Sequence, residues 1–249
     1  MGWLWNVLHF DLGMSYMLGR SVAQAIAERF PVTLLLTLYS LVLTVPLGIL
    51  AGLIAAYHHN RWADTAMMTV ALLGVSLPTF WLSITAILLF STHLGWLPSG
   101  GYVPLSESVV GCLRSLTLPA LALAVFQIGL LARMTRATTL EVLRQDYIRT
   151  ARAKGASERS VVGKHALANV LIPVVTVIGI IINVALSGTV VIEEIFSLPG
   201  IGRLVVQAIL RRDYPVIQGA LLAVALLMVT VNLLIDLLYA YLDPRVKNE

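Results

Sequence analysis

One cysteine, Cys112, stands in 249 residues, which excludes an intramolecular disulfide and offers no thiolate cluster to a metal. Charge is scarce too, with Asp, Glu, Lys and Arg making 12% of the chain against 58% hydrophobic residues. A soluble core cannot absorb that much apolar surface, so the surrounding solvent must be lipid. Patterns that carry chemistry are missing as well. The sequence has no glycine-rich phosphate loop ending in Lys-Ser or Lys-Thr, no G-x-S-x-G elbow and no H-E-x-x-H zinc helix. His58 and His59 are adjacent and His9, His93 and His165 are isolated, so no metal-ligand spacing arises. The expectation is a protein with no catalytic site, cofactor or metal of its own, which draws its energy from elsewhere.

What the chain does have is long uncharged runs. They occupy 31–60, 66–106, 115–132, 166–192 and 214–235. A crossing of the hydrocarbon core takes about 20 apolar residues in a helix rising about 1.5 Å per residue. Helices are therefore expected near 33–57, 69–90, 116–132, 170–192 and 216–241, the third being the shortest. The runs lack the polar and apolar alternation of a lipid-facing strand, which argues against a β-barrel. The fold class expected is all-α, a polytopic membrane helix bundle with five transmembrane helices.

Orientation follows from the basic residues. Arg61, Arg133, Arg136, Arg144, Arg149, Arg152, Lys154, Arg159, Lys164, Arg245 and Lys247 fall on one side of these helices. Arg20, Arg29, Arg114, Arg203, Arg211 and Arg212 fall on the other, where acidic residues balance them. The basic-rich side is cytoplasmic by the positive-inside rule. The net charge of +4 thus reflects membrane topology, and a nucleic-acid partner is not expected. Five crossings with the carboxyl end inside place residues 1–28 outside as an external segment. That segment carries Asp11, Arg20 and Glu28 and reads neither as a signal sequence nor as a helix of the bundle. Loss of an upstream helix, by a misassigned start or a real shortening, is the expected explanation.

The largest loop is the cytoplasmic stretch 133–169. Asp146 to Ala153 reads as a short helix, Gly155 as its left-handed stop, and Ser157 as the N-cap of a second helix with Val161, Val162 and His165 on one face. So many charges keep this pair at the surface, against lipid headgroups or a protein partner. The segment Asp146-Tyr-Ile-Arg-Thr-Ala-Arg-Ala-Lys-Gly155, with Lys164-His-Ala-Leu and Asn169-Val-Leu-Ile-Pro173, resembles the signature loop of binding-protein-dependent ABC importer permeases. It is most similar to the branch that handles dipeptides, oligopeptides, nickel and glutathione. The likeness extends to Asp11-Leu-Gly-Met-Ser-Tyr16, to Glu194-Ile-Phe-Ser-Leu-Pro-Gly-Ile-Gly-Arg203, to Arg212-Asp-Tyr-Pro-Val-Ile-Gln218 and to Asn232-Leu-Leu-Ile-Asp-Leu-Leu-Tyr239. Essentially the whole chain is covered. It departs from the family in lacking a first transmembrane helix and in carrying Ala168 where a basic residue commonly precedes the asparagine. Arg149, Thr150 and Ala151 replace the Glu-Ala-Ala pattern of importers generally, which fits the peptide branch.

The resemblance implies a permease domain over 29–239, with a cytoplasmic tail at 240–249. Within it, a coupling loop uses Tyr147, Thr150, Ala151, Ala153, Lys154, Gly155 and His165 to dock an ATPase. It implies as partners a second permease subunit, two cytoplasmic ATPase subunits and an external substrate-binding protein, in the inner membrane of a bacterial or archaeal cell. Short peptides are the favoured substrate, with nickel or glutathione as alternatives. Small residues at Gly48, Gly52 and Ala56 share one helix face and allow close packing. Pro46, Pro78 and Pro119 are expected to interrupt helices. Asp236 lies only seven residues before Asp243, near the cytoplasmic end. It is expected to pair with a basic group there rather than relay protons, which weighs against a gradient-driven secondary transporter.

Overall fold

In hydrocarbon every backbone N–H and C=O must find a partner within the chain, so the apolar runs fold as helices. The computed structural model describes residues 5, 9, 11–157 and 160–242, without the side chains of residues 162, 164, 165, 168, 172, 236 and 238–242. The helices are α1 (Val22–Tyr57), α2 (Trp62–Ser76), α3 (Thr79–Ala86), α4 (Val109–Leu143), α5 (Asp146–Ala153), α6 (Leu167–Ile195), α7 (Ile201–Arg211) and α8 (Tyr214–Leu242). A π-helical turn, Ile87–His93, prolongs α3, and a second, Val161–Ala166, leads into α6. Among the described residues the only β pairing is an isolated bridge between Met14 and Ser21, so the fold is all-α.

Four helices are long and apolar enough to cross a membrane, and α2 with α3 and its π turn can form a fifth span. That fifth span differs from the straight helix expected over 69–90. The chain bends by 99° between Ser76 and Thr79. Pro78 is the cause, since it lacks an N–H and drives the preceding Leu77 into extended backbone at φ −83° and ψ 128°. Pro46 and Pro119, by contrast, lie within unbroken helices and interrupt neither. The third expected helix, 116–132, is one of the longest: α4 has 35 residues and takes in Arg114, Arg133 and Arg136. Likewise α1 has 36 residues and starts eleven before the expected position 33, over Glu28 and Arg29. Both exceed the roughly 20 residues of one crossing. A charge marks where a helix leaves lipid, not where it stops.

The chain divides into two compact units. Unit 1 collects residues 1–40, 79–123 and 184–230. Its core joins Val22 and Ile26 of α1, Ile201, Leu204 and Ala208 of α7, and Val216 and Ala220 of α8. The α7–α8 turn is tied to the amino-terminal segment by buried Asp213, whose Oδ2 accepts Ser15 Oγ at 2.5 Å and the Met17 N–H at 3.2 Å. Unit 2 collects residues 41–78, 124–183 and 231–249. Here α1 and α4 run backbone to backbone. A Cβ on Gly48 would stand 2.8 Å from Leu131 Cβ, and one on Gly52 would stand 2.6 Å from both Ala132 O and Thr135 Cβ. Thr44 and Gln127 meet on the same two helices, the Thr44 hydroxyl donating to Gln127 Oε1 at 3.0 Å with both side chains buried.

Candidate coupling site

Helix α5 opens with Asp146, whose negative charge suits a helix N-terminus, and closes with Arg152, whose positive charge suits the C-terminus. Its end is a complete Schellman motif, with the Ala156 N–H donating to Ala151 O at 3.2 Å and the Gly155 N–H to Arg152 O at 2.9 Å. That geometry needs a left-handed residue, and Gly155 sits at φ +82°. Nothing lies within 4 Å of where its Cβ would be, so the demand for glycine is conformational and not steric. Ser157 follows. Its Oγ accepts the Ser160 N–H at 3.4 Å and its carbonyl accepts the Val161 N–H at 2.9 Å, as an N-cap does.

One residue of α5 is buried. Ile148 is fully enclosed in the core of unit 2 with Leu131, Val161, Ala166, Val170 and Val174. A second tie comes from the Asn169 amide, which donates to the Tyr147 hydroxyl at 2.7 Å. Around this anchor Tyr147, Arg149, Thr150, Arg152, Ala153, Lys154 and Gly155 are exposed and Ala151 is half-buried. The structure thus gathers Tyr147, Thr150, Ala151, Ala153, Lys154 and Gly155 on one short surface element. The side chain of His165, together with those of Lys164 and Asp236, lies outside what is described, as do Glu158, Arg159 and the tail from 243 onward. Only residues 144–166 lie between the long helices, because α4 continues to Leu143 where a loop was expected from 133. Gly48 and Gly52 are elsewhere in unit 2, at the α1–α4 crossing.

Two polar clusters escaped sequence reasoning. In unit 2, Asp64 of α2 is 4% exposed and accepts Arg136 of α4 through two bonds, Nε to Oδ1 at 2.6 Å and Nη2 to Oδ2 at 2.7 Å. The same carboxylate accepts the Asn60 N–H at 3.0 Å, which fixes the α1–α2 turn, where Asn60 stands at φ +61°. In unit 1, Glu193 at the end of α6 is fully buried. It accepts the Thr33 hydroxyl of α1 at 2.6 Å and the Arg203 N–H in the first turn of α7 at 2.9 Å, while Thr33 Oγ1 also accepts the Ile201 N–H at 2.9 Å. A Cβ on Gly200 would overlap the Glu193 carboxylate. Glu193 therefore caps α7 from a different helix, satisfying donors that a helix N-terminus leaves unpaired. Its sequence signal was faint: an acid directly after an apolar run, followed by Gly200 and Gly202.

Among the described residues no three His, Cys, Asp or Glu side chains converge as a metal site would require. Helices long and apolar enough to cross a membrane, together with a charged surface helix anchored by one isoleucine, describe a polytopic membrane protein. The description "Binding-protein-dependent transport system inner membrane component" matches residues 48–248. A putative peptide transport system permease protein of Brucella abortus (strain 2308) is 58% identical over 245 residues, 98% of this chain and 78% of that one. The glutathione transport system permease protein of Escherichia coli O6:H1 is 46% identical over 97% of this chain and 76% of its own. The dipeptide transport system permease protein of Alkalihalophilus pseudofirmus is 40% identical over 95% and 77%. Among solved structures, a chain of the inward-facing MetNI methionine ABC transporter superposes with a TM-score of 0.70 at 18% identity, over 88% of this chain and 97% of that chain. The chain belongs to the family of binding-protein-dependent transport system inner membrane components, and is a membrane permease subunit of an ABC importer.

Proposed function

We propose that the subunit carries short peptides inward by alternating access, powered by ATPase subunits that grip α5. The observation that carries this reading is the construction of α5. A helix with one buried side chain and a charged, open remainder is stable in place yet offers nearly all of its surface to a partner. Ile148 sits in one core with residues of α4 and α6, so a displacement of α5 is felt by both helices within unit 2. Hydrolysis takes place on the partner, and the partner must bind the permease's two states with different affinity for any shift to occur. The working assembly has a second permease subunit, two ATPase subunits and an external binding protein. Peptide is favoured because the Brucella and Alkalihalophilus relatives are named for it; glutathione, itself a tripeptide, is the second candidate through the Escherichia relative.

The test is purification of the tagged chain from its native membrane with its companions, followed by reconstitution and uptake of labelled dipeptide, tripeptide and glutathione. ATP-dependent accumulation of a peptide, lost when Ile148→Asp is introduced, is expected. Recovery of the folded chain with no ATPase subunit would overturn the coupling role, and uptake of none of the three would overturn the substrate.

A further inference from the structure

The stretch between the last two spans is short. The α6 span ends at Ile195 and the α8 span begins at Tyr214, with α7 between them. The chain from the end of α7 to the first residue of α8 passes only Arg212 and Asp213. At no more than about 3.6 Å per residue, the final turn of α7 stays close to the first turn of α8, which opens the apolar stretch Tyr214–Ile235. Whatever that turn exposes is therefore held beside the start of that apolar stretch.

What it exposes is apolar. Leu210 is 79% exposed, and Ile209 and Tyr214 are also exposed, beside the exposed guanidinium side chains of Arg211 and Arg212. The opposite face of α7, Ile201, Leu204 and Ala208, is already occupied by the unit 1 core. A second set of apolar side chains joins the same edge. Met14, Tyr16 and Met17 are exposed, and their segment is tied to the α7–α8 turn by the bonds of Ser15 and Met17 to Asp213. Met17 and Leu18 line a small cavity shared with Arg211, so the two segments meet. Large apolar side chains with tyrosines and flanking arginines have the composition of a bilayer interface, where rings sit at headgroup level and guanidinium groups reach phosphate.

We propose that the end of α7 and residues 14–18 form an interfacial anchor, with Ile209, Leu210 and Met17 inserted at the headgroup and acyl boundary of the outer leaflet and Arg211 and Arg212 on lipid phosphate. This goes beyond the coupling role and needs no ATPase. The cationic pair beside large apolar side chains and tyrosines decides for phospholipid, and a contact with the binding protein or the second permease subunit is an outcome of the test.

The test uses the assembled transporter in nanodiscs, with Cys112→Ala removing the native thiol and Leu210→Cys carrying an environment-sensitive fluorophore. Glu107→Cys, in an exposed loop of the same unit, is the aqueous control. Blue-shifted emission is expected at 210, with quenching by shallow spin-labelled lipid and iodide quenching at least about threefold weaker than at 107, as befits a group buried roughly 5–10 Å into the interface. Iodide quenching equal to the control with no lipid quenching overturns the proposal. Protection that appears only on adding binding protein, or only with the second permease present, also overturns it and makes the patch a protein contact. A Met17→Cys label guards against a local fault at 210, and is expected to be quenched by the same lipid.

Discussion

Removing either member of the Asp64–Arg136 pair takes away the other's opposite charge and leaves it only His59 and, for Asp64, the Asn60 N–H, and the two losses should be unequal. Asp64→Ala leaves the Arg136 guanidinium without its carboxylate and the Asn60 N–H without an acceptor. Arg136→Leu leaves a carboxylate behind instead. Breaking a buried pair by deleting one partner costs about 3–5 kcal/mol. The Arg136 side chain keeps 24% exposure and can recruit water, whereas that of Asp64 keeps 5%. Asp64→Ala should therefore fall near about 3 kcal/mol and Arg136→Leu nearer about 5 kcal/mol, a gap of more than tenfold in the folding equilibrium. The assay is denaturant titration of the purified permease in mixed micelles, followed by tryptophan fluorescence. A double-mutant cycle with Asp64→Asn and Arg136→Gln should show the pair costing less together than the sum of the singles, by about 1–3 kcal/mol. If Asp64→Ala proves the more damaging, or the singles simply add, the burial argument fails.

Three further outcomes follow from other sites. Gly155→Val forces a β-branched residue toward φ +82°, so the subunit should insert normally while the partner ATPase hydrolyses ATP uncoupled from transport; normal uptake by vesicles would refute this. Gly200→Ala places a Cβ inside the Glu193 carboxylate, and should loosen α7 enough to raise hydrogen exchange of the 201–204 amides at least about tenfold while α5 is unchanged. Gly52→Leu drives a side chain into Ala132 O and Thr135, and a loss of about 1–3 kcal/mol or more in denaturant stability is expected; Gly48→Ala should also destabilise, because its Cβ would meet Leu131 Cβ at 2.8 Å, an atom that side-chain rotation does not move.

Apolar runs made the helices legible because in lipid a helix is the cheapest way to satisfy a backbone. Their ends were not legible. Arg133 and Arg136 looked like a loop, yet α4 carries them on to Leu143, since helices persist beyond the hydrocarbon wherever local bonding favours it. The break at Pro78 and the continuity at Pro46 and Pro119 share one residue type and differ only in what surrounds it. The Schellman end at Gly155 could be read in advance because it is local. Glu193 with Thr33, or Asp64 with Arg136, are partners 160 and 72 residues apart, and single-chain patterning carries no information at that range.

Ile148 has one more implication. The side chain that fastens α5 to the permease points inward, and the residues available to an outside protein point away from it. Substitutions on the outer face therefore leave the core of unit 2 untouched, while those at Ile148 do not. What α5 displays and what holds it in place are written in separate letters of the same eight-residue word. A change on that face alters what α5 shows to its surroundings while the packing behind it stays as it is.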